Sequence, residues 1–122
     1  MSSNYTIERL ENGIYRATAH TDLTLEMAMA LVRDISSREN SLLRLLDFRG
    51  TTVDLGMPAQ QQVSGAIRKV EAQLVRTAFL VDNQLSLGRI RQYMAYRQDD
   101  TILREVFTDE DKAVAWLLEK TN

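Results

Sequence analysis

Hydrophobic and polar positions change period along this chain, and the changes mark out its elements. From Tyr5 to His20, apolar and β-branched residues flank an Asn12-Gly13 pair. This reads as a β-hairpin, with the pair supplying the positive φ values of a tight type I′ turn. The spacing then becomes helical. Leu25, Ala28, Leu31, Val32 and Ile35 share one face, Thr24 stands at the N-cap position, and Glu26 in the first turn suits the helix dipole. Polar residues Ser36 to Ser41 end this helix.

Leu42 to Phe48 is a short, nearly continuous apolar run, the pattern of an interior parallel strand. Arg44 interrupts it on the face shared by Leu42, Leu46 and Phe48, so solvent or a partner is expected beside that face. The loop Gly50 to Gly56 leads to the only proline, Pro58, expected as the first residue of a second helix, where its missing N–H has no partner to lose. Ala59, Val63, Ala66, Ile67, Val70 and Leu74 are predicted to form the inner face, with Gln60, Gln61, Ser64, Arg68 and Glu71 opposite.

Thr77 to Val81 is a second interior strand. After the turn Asp82-Asn83-Gln84, Ser86 is the predicted N-cap of a helix reaching about Gln98, with Leu87, Ile90 and Met94 facing inward. Asp99-Asp100 breaks that helix. Ile102 to Phe107 alternates as a strand, and Thr108 with Asp111 resembles a capping box for the last helix. Ala113, Val114, Leu117 and Leu118 dock that helix, with Trp116 on its flank.

The order is ββαβαβαβα, an α/β fold: a five-stranded, mostly parallel sheet with an N-terminal antiparallel hairpin and four helices. The later connections are long enough to hold helices, which makes them right-handed parallel crossovers. One layer of helices is expected, leaving an uncovered sheet face whose apolar area suggests a homodimer. At 122 residues the chain is expected to be a single domain over 1–122, and 44% hydrophobic with 26% charged residues is an ordinary globular balance. Absence of cysteine removes disulfides, thiolate ligands and a cysteine nucleophile, and fits a cytoplasmic setting. Met1 to Tyr5 shows no basic region followed by an apolar stretch and nowhere do 18 apolar residues run together, so neither secretion nor membrane spanning is expected. Fifteen Lys and Arg against 17 Asp and Glu give a net charge of −2, which offers nucleic acid no general attraction.

This layout resembles the STAS superfamily, which includes the anti-sigma factor antagonists, and in particular its small SpoIIAA-like relatives, whose fold is shared with CRAL-TRIO lipid-binding domains. The likeness covers nearly the whole chain. It rests on the strand Leu42 to Asp47 leading through a polar loop to the Pro58 helix, on the strand Ala78 to Asp82, and on the closing pattern from Arg104 to Leu118. Anti-sigma factor antagonists carry an Asp-Ser-Ser-Gly type motif with a phosphorylatable serine where that loop enters its helix. The corresponding stretch here is Val53-Asp54-Leu55-Gly56, with Leu55 in place of the hydroxyl, so the phosphorylation switch does not transfer. Thr51 and Thr52 are nearby hydroxyls only.

Loops at the carboxyl ends of parallel strands gather into a crevice where ligands tend to bind. A candidate ligand or partner rim there comprises His20, Asp47, Arg49, Thr51, Thr52, Asp54, Asp82, Asn83 and Ser86. A histidine among carboxylates is suited to acid–base chemistry or metal binding, although Asp, Asn and Thr after strands also serve turns and caps. On the third helix, Arg89, Tyr93 and Arg97, with Tyr96 nearby, form an aromatic and cationic stripe suited to a protein partner, or to a solvated face with arginine stems on tyrosine rings. Asp109-Glu110-Asp111 reads as dipole-favoured acids at a helix start, and the scattered methionines as core filler. No phosphate loop and no Gly-x-Ser-x-Gly motif occurs, and no cofactor or metal is indicated. The resemblance implies a non-catalytic, regulatory protein-interaction module. A carrier of a small apolar or lipid-like ligand is the alternative, and a small enzyme built on His20 ranks third.

Overall fold

The computed structural model describes residues 4–68, 76–97 and 102–119. Its elements run β1 (Tyr5–Arg9), β2 (Tyr15–Ala19), α1 (Leu25–Ser36), β3 (Leu43–Asp47), α2 (Met57–Arg68), β4 (Arg76–Leu80), α3 (Gln84–Tyr96), β5 (Leu103–Phe107) and α4 (Glu110–Leu117). The five strands form one sheet in the order β1-β2-β3-β4-β5, antiparallel only between β1 and β2. Every expected element is present in the expected order.

The hairpin turns differently from the prediction. Leu10 N–H donates to Ile14 O (2.8 Å) and Gly13 N–H to Leu10 O (2.9 Å), so three residues, not two, make the connection. Gly13 takes φ +86° while Asn12 is not left-handed; its Oδ1 instead accepts from Ile14 N–H (3.1 Å). A three-residue loop closed by one left-handed glycine needs a single positive φ, which suits the right-handed twist of the pair.

Helix α1 is capped as expected, Thr24 Oγ1 accepting from Met27 N–H. Helix α3 starts earlier than expected: Asn83 is its N-cap, and its side chain accepts from Ser86 N–H (2.8 Å). Ser86 lies inside the first turn, where its Oγ accepts from Val53 N–H (2.8 Å). In α4 the cap is Asp109, accepting from Asp111 N–H (2.9 Å), rather than Thr108. A carboxylate one residue nearer the helix satisfies the same unpaired donors and carries the charge the dipole favours. Val70, Glu71, Leu74, Gln98 and the Asp99-Asp100 pair lie outside the described residues.

The sheet is covered on both faces, which corrects the single helical layer. Tyr15, Ala17, Leu46, Phe48, Phe79 and Val81 face α1, α2 and α3. Leu45, Ala78 and Leu80 face Ala113 and Leu117 of α4. Near β1 and β2 the α4-side face instead carries Thr6, Glu8, Arg16 and Thr18, which pair across the strands. The apolar free face on which the homodimer expectation rested is therefore absent from the described structure.

Helix α2 also sits differently from its periodicity. Its buried residues are Gln60 and Ser64, both expected on the outer face, while Val63 and Ile67 are half-buried. Gln60 is drawn in by partners, its Nε2 donating to Leu55 O (2.7 Å) and Gln92 Oε1 (2.8 Å), and the Ser64 backbone carbonyl accepts from Arg97 Nη1 (3.4 Å). Local polar partners outweigh a modest apolar stripe when a helix packs against another helix's polar flank.

Candidate functional site

The alternation of β-strands sets side chains in rows across the sheet. On the face toward α1, α2 and α3, the first row is Tyr15, Arg44, Thr77 and Arg104, aligned by strand register. The next row is Ala17, Leu46, Phe79 and Val106, and Phe48 and Val81 continue beyond it. The face is thus polar at the amino ends of the parallel strands and apolar toward their carboxyl ends.

Between this face and the helices lies an apolar cavity of about 90 Å³. Leu31 and Ile35 line it from α1, Val63 and Ile67 from α2, and Ile90 and Tyr93 from α3. Its floor is Leu46, Phe48 and Phe79, bordered by Arg44 and Thr77. The cavity exists because α2 turns Gln60 and Ser64 toward α3, so that its apolar stripe roofs the space without filling it. Gln60 Oε1 and Ser64 Oγ are buried with no hydrogen-bond partner among the described residues.

Arg44 is 6% exposed. Its Nε donates to Ser41 Oγ (3.0 Å) and more weakly to Ser41 O (3.4 Å). Burial alone lowers its pKa to about 10. The guanidinium is still charged at neutral pH, so the folded protein carries the cost of hiding a cation, relieved only as pH rises through about 10. The expectation of solvent or a partner protein beside this residue is corrected: helices cover it, and the cavity is what adjoins it. Arg104 lies close by on β5, its guanidinium carbon 5.9 Å from the centroid of the Tyr93 ring.

The carboxyl-end rim does not assemble into one site. His20 is exposed, its Nε2 3.2 Å from Thr6 Oγ1, with no carboxylate in reach among the described residues. That removes the pairing the enzyme reading needed. Asp47 points to the opposite face, toward α4. Asp54 pairs with Arg89 (3.0 Å). Asp82 accepts from Gly50 N–H, Asn83 Nδ2 donates to Thr51 O, and Thr52 N–H donates to Asp22. Thr51 and Ser86 are buried with their hydroxyls engaged. These residues lock three loops to one another. Among the described residues no group of three His, Cys, Asp or Glu side chains is placed to hold a metal ion.

The arginine–tyrosine stripe is also corrected. Tyr93 and Arg97 are buried, Arg97 to 1% exposure, with Arg97 Nη1 donating to Tyr93 OH (3.3 Å). Only Tyr96 remains exposed, and Arg89 is engaged by Asp54 and Gln92. The two residues turn inward because they follow Ile90 at helical spacing and sit above the polar first row of the sheet.

A cluster that the sequence reading did not assemble lies on the α4 side. Asp47 accepts from Arg16 Nη2 (2.7 Å), from Arg49 Nε and Nη2 (3.0 and 2.8 Å) and from Arg49 N–H (3.0 Å). Glu110 closes the set with Arg16 (2.6 Å) and Arg49 (2.7 Å). Burial alone would raise the Asp47 carboxyl, but the hydrogen bonds and charge of Arg49, with the hydrogen bond from Arg16, outweigh it and hold the pKa below the ordinary value. The network joins β2, β3 and the start of α4, and its charges are mutually satisfied.

These features define an α/β protein of SpoIIAA-like fold, with its cavity on the three-helix side. The chain is similar along 96% of its length to a solved structure, an uncharacterised protein of the DUF3478 family with a SpoIIAA-like fold from Shewanella loihica PV-4. The match covers 98% of that chain at a TM-score of 0.58 and 20% sequence identity, a likeness of fold. No protein-family model matches the chain, and comparison with curated proteins finds no relative. No helix among the described residues is long and apolar enough to cross a membrane.

Proposed function

We propose that this protein is a non-catalytic binding domain for a small, largely apolar ligand held in the cavity beneath α2. The single observation that carries the reading is an apolar cavity between the sheet and α1, α2 and α3, lined among the described residues almost entirely by aliphatic and aromatic side chains. Interiors pack at near-crystalline density, so a space on this scale is rare without a use. It is smaller than the cavity of about 150 Å³ that admits benzene, which sets the ligand at a short chain or small ring. The reading as a regulatory protein-interaction module has less support, because Tyr93 and Arg97 are buried and the rim residues are engaged with one another.

Calorimetric titration with 1-butanol, 1-hexanol and 1-octanol tests the proposal. Each methylene that enters the cavity contributes about 0.8 kcal/mol, so Kd should fall roughly fourfold per methylene until the cavity is full. Ala28, buried on the cavity wall in α1, provides the control. Ala28→Leu should fill the space and abolish binding while leaving the fold intact. No saturable binding by any of the three alcohols, or binding that Ala28→Leu leaves unchanged, would overturn the proposal.

A further inference from the structure

We infer that the ligand of this cavity is an amphiphile with a carboxylate head, seated on Arg44 with its apolar tail over Leu46 and Phe79. This rests on the reading of the cavity as a ligand site and adds the chemical class of the ligand.

The arginines of the fold differ in how their charge is met. Arg16 and Arg49 share Asp47 and Glu110, and Arg89 takes Asp54. Arg44 is more deeply buried than any of these, yet no carboxylate among the described residues pairs with it. Ser41 occupies its Nε, and neither Nη nitrogen has a hydrogen bond among the described residues. A buried guanidinium left in this state carries a desolvation cost that a counter-anion would remove.

Shape and position then identify the anion. The two Nη nitrogens form a planar fork, which a carboxylate accepts in bidentate fashion through two parallel hydrogen bonds. Thr77, the neighbour of Arg44 across the β3–β4 ladder, borders the same cavity. The apolar row of Leu46 and Phe79 begins one step further along each strand. A ligand with its charge on the first row therefore has its carbon chain on the second, which is the arrangement of a short fatty acid. A neutral occupant would leave the cation as it stands.

The test compares sodium hexanoate with 1-hexanol at neutral pH, in the unaltered protein and in Arg44→Met and Arg44→Lys. A charge-assisted bidentate pair corresponds to roughly a 10- to 100-fold gain, so hexanoate should bind tighter than 1-hexanol by that factor. In Arg44→Met that preference should vanish while 1-hexanol binds within about threefold of before. The ligand-free melting temperature should hold or rise, because a buried cation has been replaced by an apolar side chain of similar length. Arg44→Lys should keep part of the preference, since a lysine carries the charge without the fork. Equal binding of hexanoate and 1-hexanol overturns the carboxylate assignment and leaves the apolar cavity standing. A hexanoate preference that survives in Arg44→Met places the anion elsewhere and also overturns it. Failure of both probes to bind overturns the ligand site itself and the inference with it.

Discussion

Leu45→Ala is expected to lower the unfolding free energy by about 3–4 kcal/mol, the range for a fully buried leucine whose surroundings cannot collapse into the gap. Leu45 is 0% exposed, wedged between β3 and the α4 residues Ala113 and Leu117, with Ile14, Ala78 and Leu80 around it. For a domain of this size the melting temperature should drop by roughly 10–15 °C. Leu46 is the instructive comparison, one residue along and on the opposite face. It is only half-buried and borders existing empty space, so Leu46→Ala removes fewer packed neighbours and should cost distinctly less. Urea denaturation of the two variants measures the difference. Equal losses, or a Leu45→Ala loss below about 1 kcal/mol, would mean that α4 does not hold the second face of the sheet.

Asp47→Ala should be the most damaging polar substitution, at about 2–3 kcal/mol. Its carboxylate is 4% exposed and accepts from two guanidiniums, so truncation leaves Arg16 and Arg49 facing one another with only Glu110 between them. Both arginines keep some solvent access, which is why the loss falls short of that of a fully buried pair. The pH dependence has a definite sign. Because the folded protein holds the Asp47 pKa below its unfolded value, the stabilisation is complete above about pH 4 and is lost as pH falls through the lower folded value. The gap in stability between the unaltered protein and Asp47→Ala should therefore be constant near neutrality and shrink in acid. Denaturant midpoints at pH 7 and near pH 3 measure it, and a gap that widens in acid would contradict the account.

The elements of the fold were legible because each has a local cause. Helix α1 and the strands β3 and β4 follow from apolar period and from caps and turns visible in the sequence, and the long crossovers leave parallel pairing as the economical topology. What sequence did not reveal depends on angles between elements. Gln60 and Ser64 look outward on a helical wheel, yet the bonds from Gln60 to Leu55 and Gln92 rotate α2 inward, and no residue pattern announces that rotation. The cavity is a consequence of the same rotation, so it was equally hidden. Position on one helix face also misplaced Tyr93 and Arg97: helix α3 lies over a polar row of the sheet, where their polar ends find partners.

Arg44 is different, because its signal was visible. A lone arginine in an otherwise apolar interior strand marks a place where a buried charge is tolerated for a reason. Strand alternation put it on the face of Leu46 and Phe48, and the structure bears out that assignment. What the strand pattern lacked was depth, since solvent and a covered cavity leave the same trace in sequence. The rim residues were misleading for the opposite reason. Asp54, Asp82 and Asn83 follow strands because loops need acceptors for exposed N–H groups and partners for nearby side chains, and those needs engage them.

Methyl NMR tests the proposed ligand site beneath α2 most directly. In protein with labelled Ile, Leu and Val methyl groups, titration with hexanoate should shift Leu31, Leu46, Val63 and Ile67, while Leu45, Leu80 and Leu117 on the α4 side stay in place. Largest shifts at the α4 side, or a spectrum unchanged at saturating hexanoate, would contradict a ligand site beneath α2.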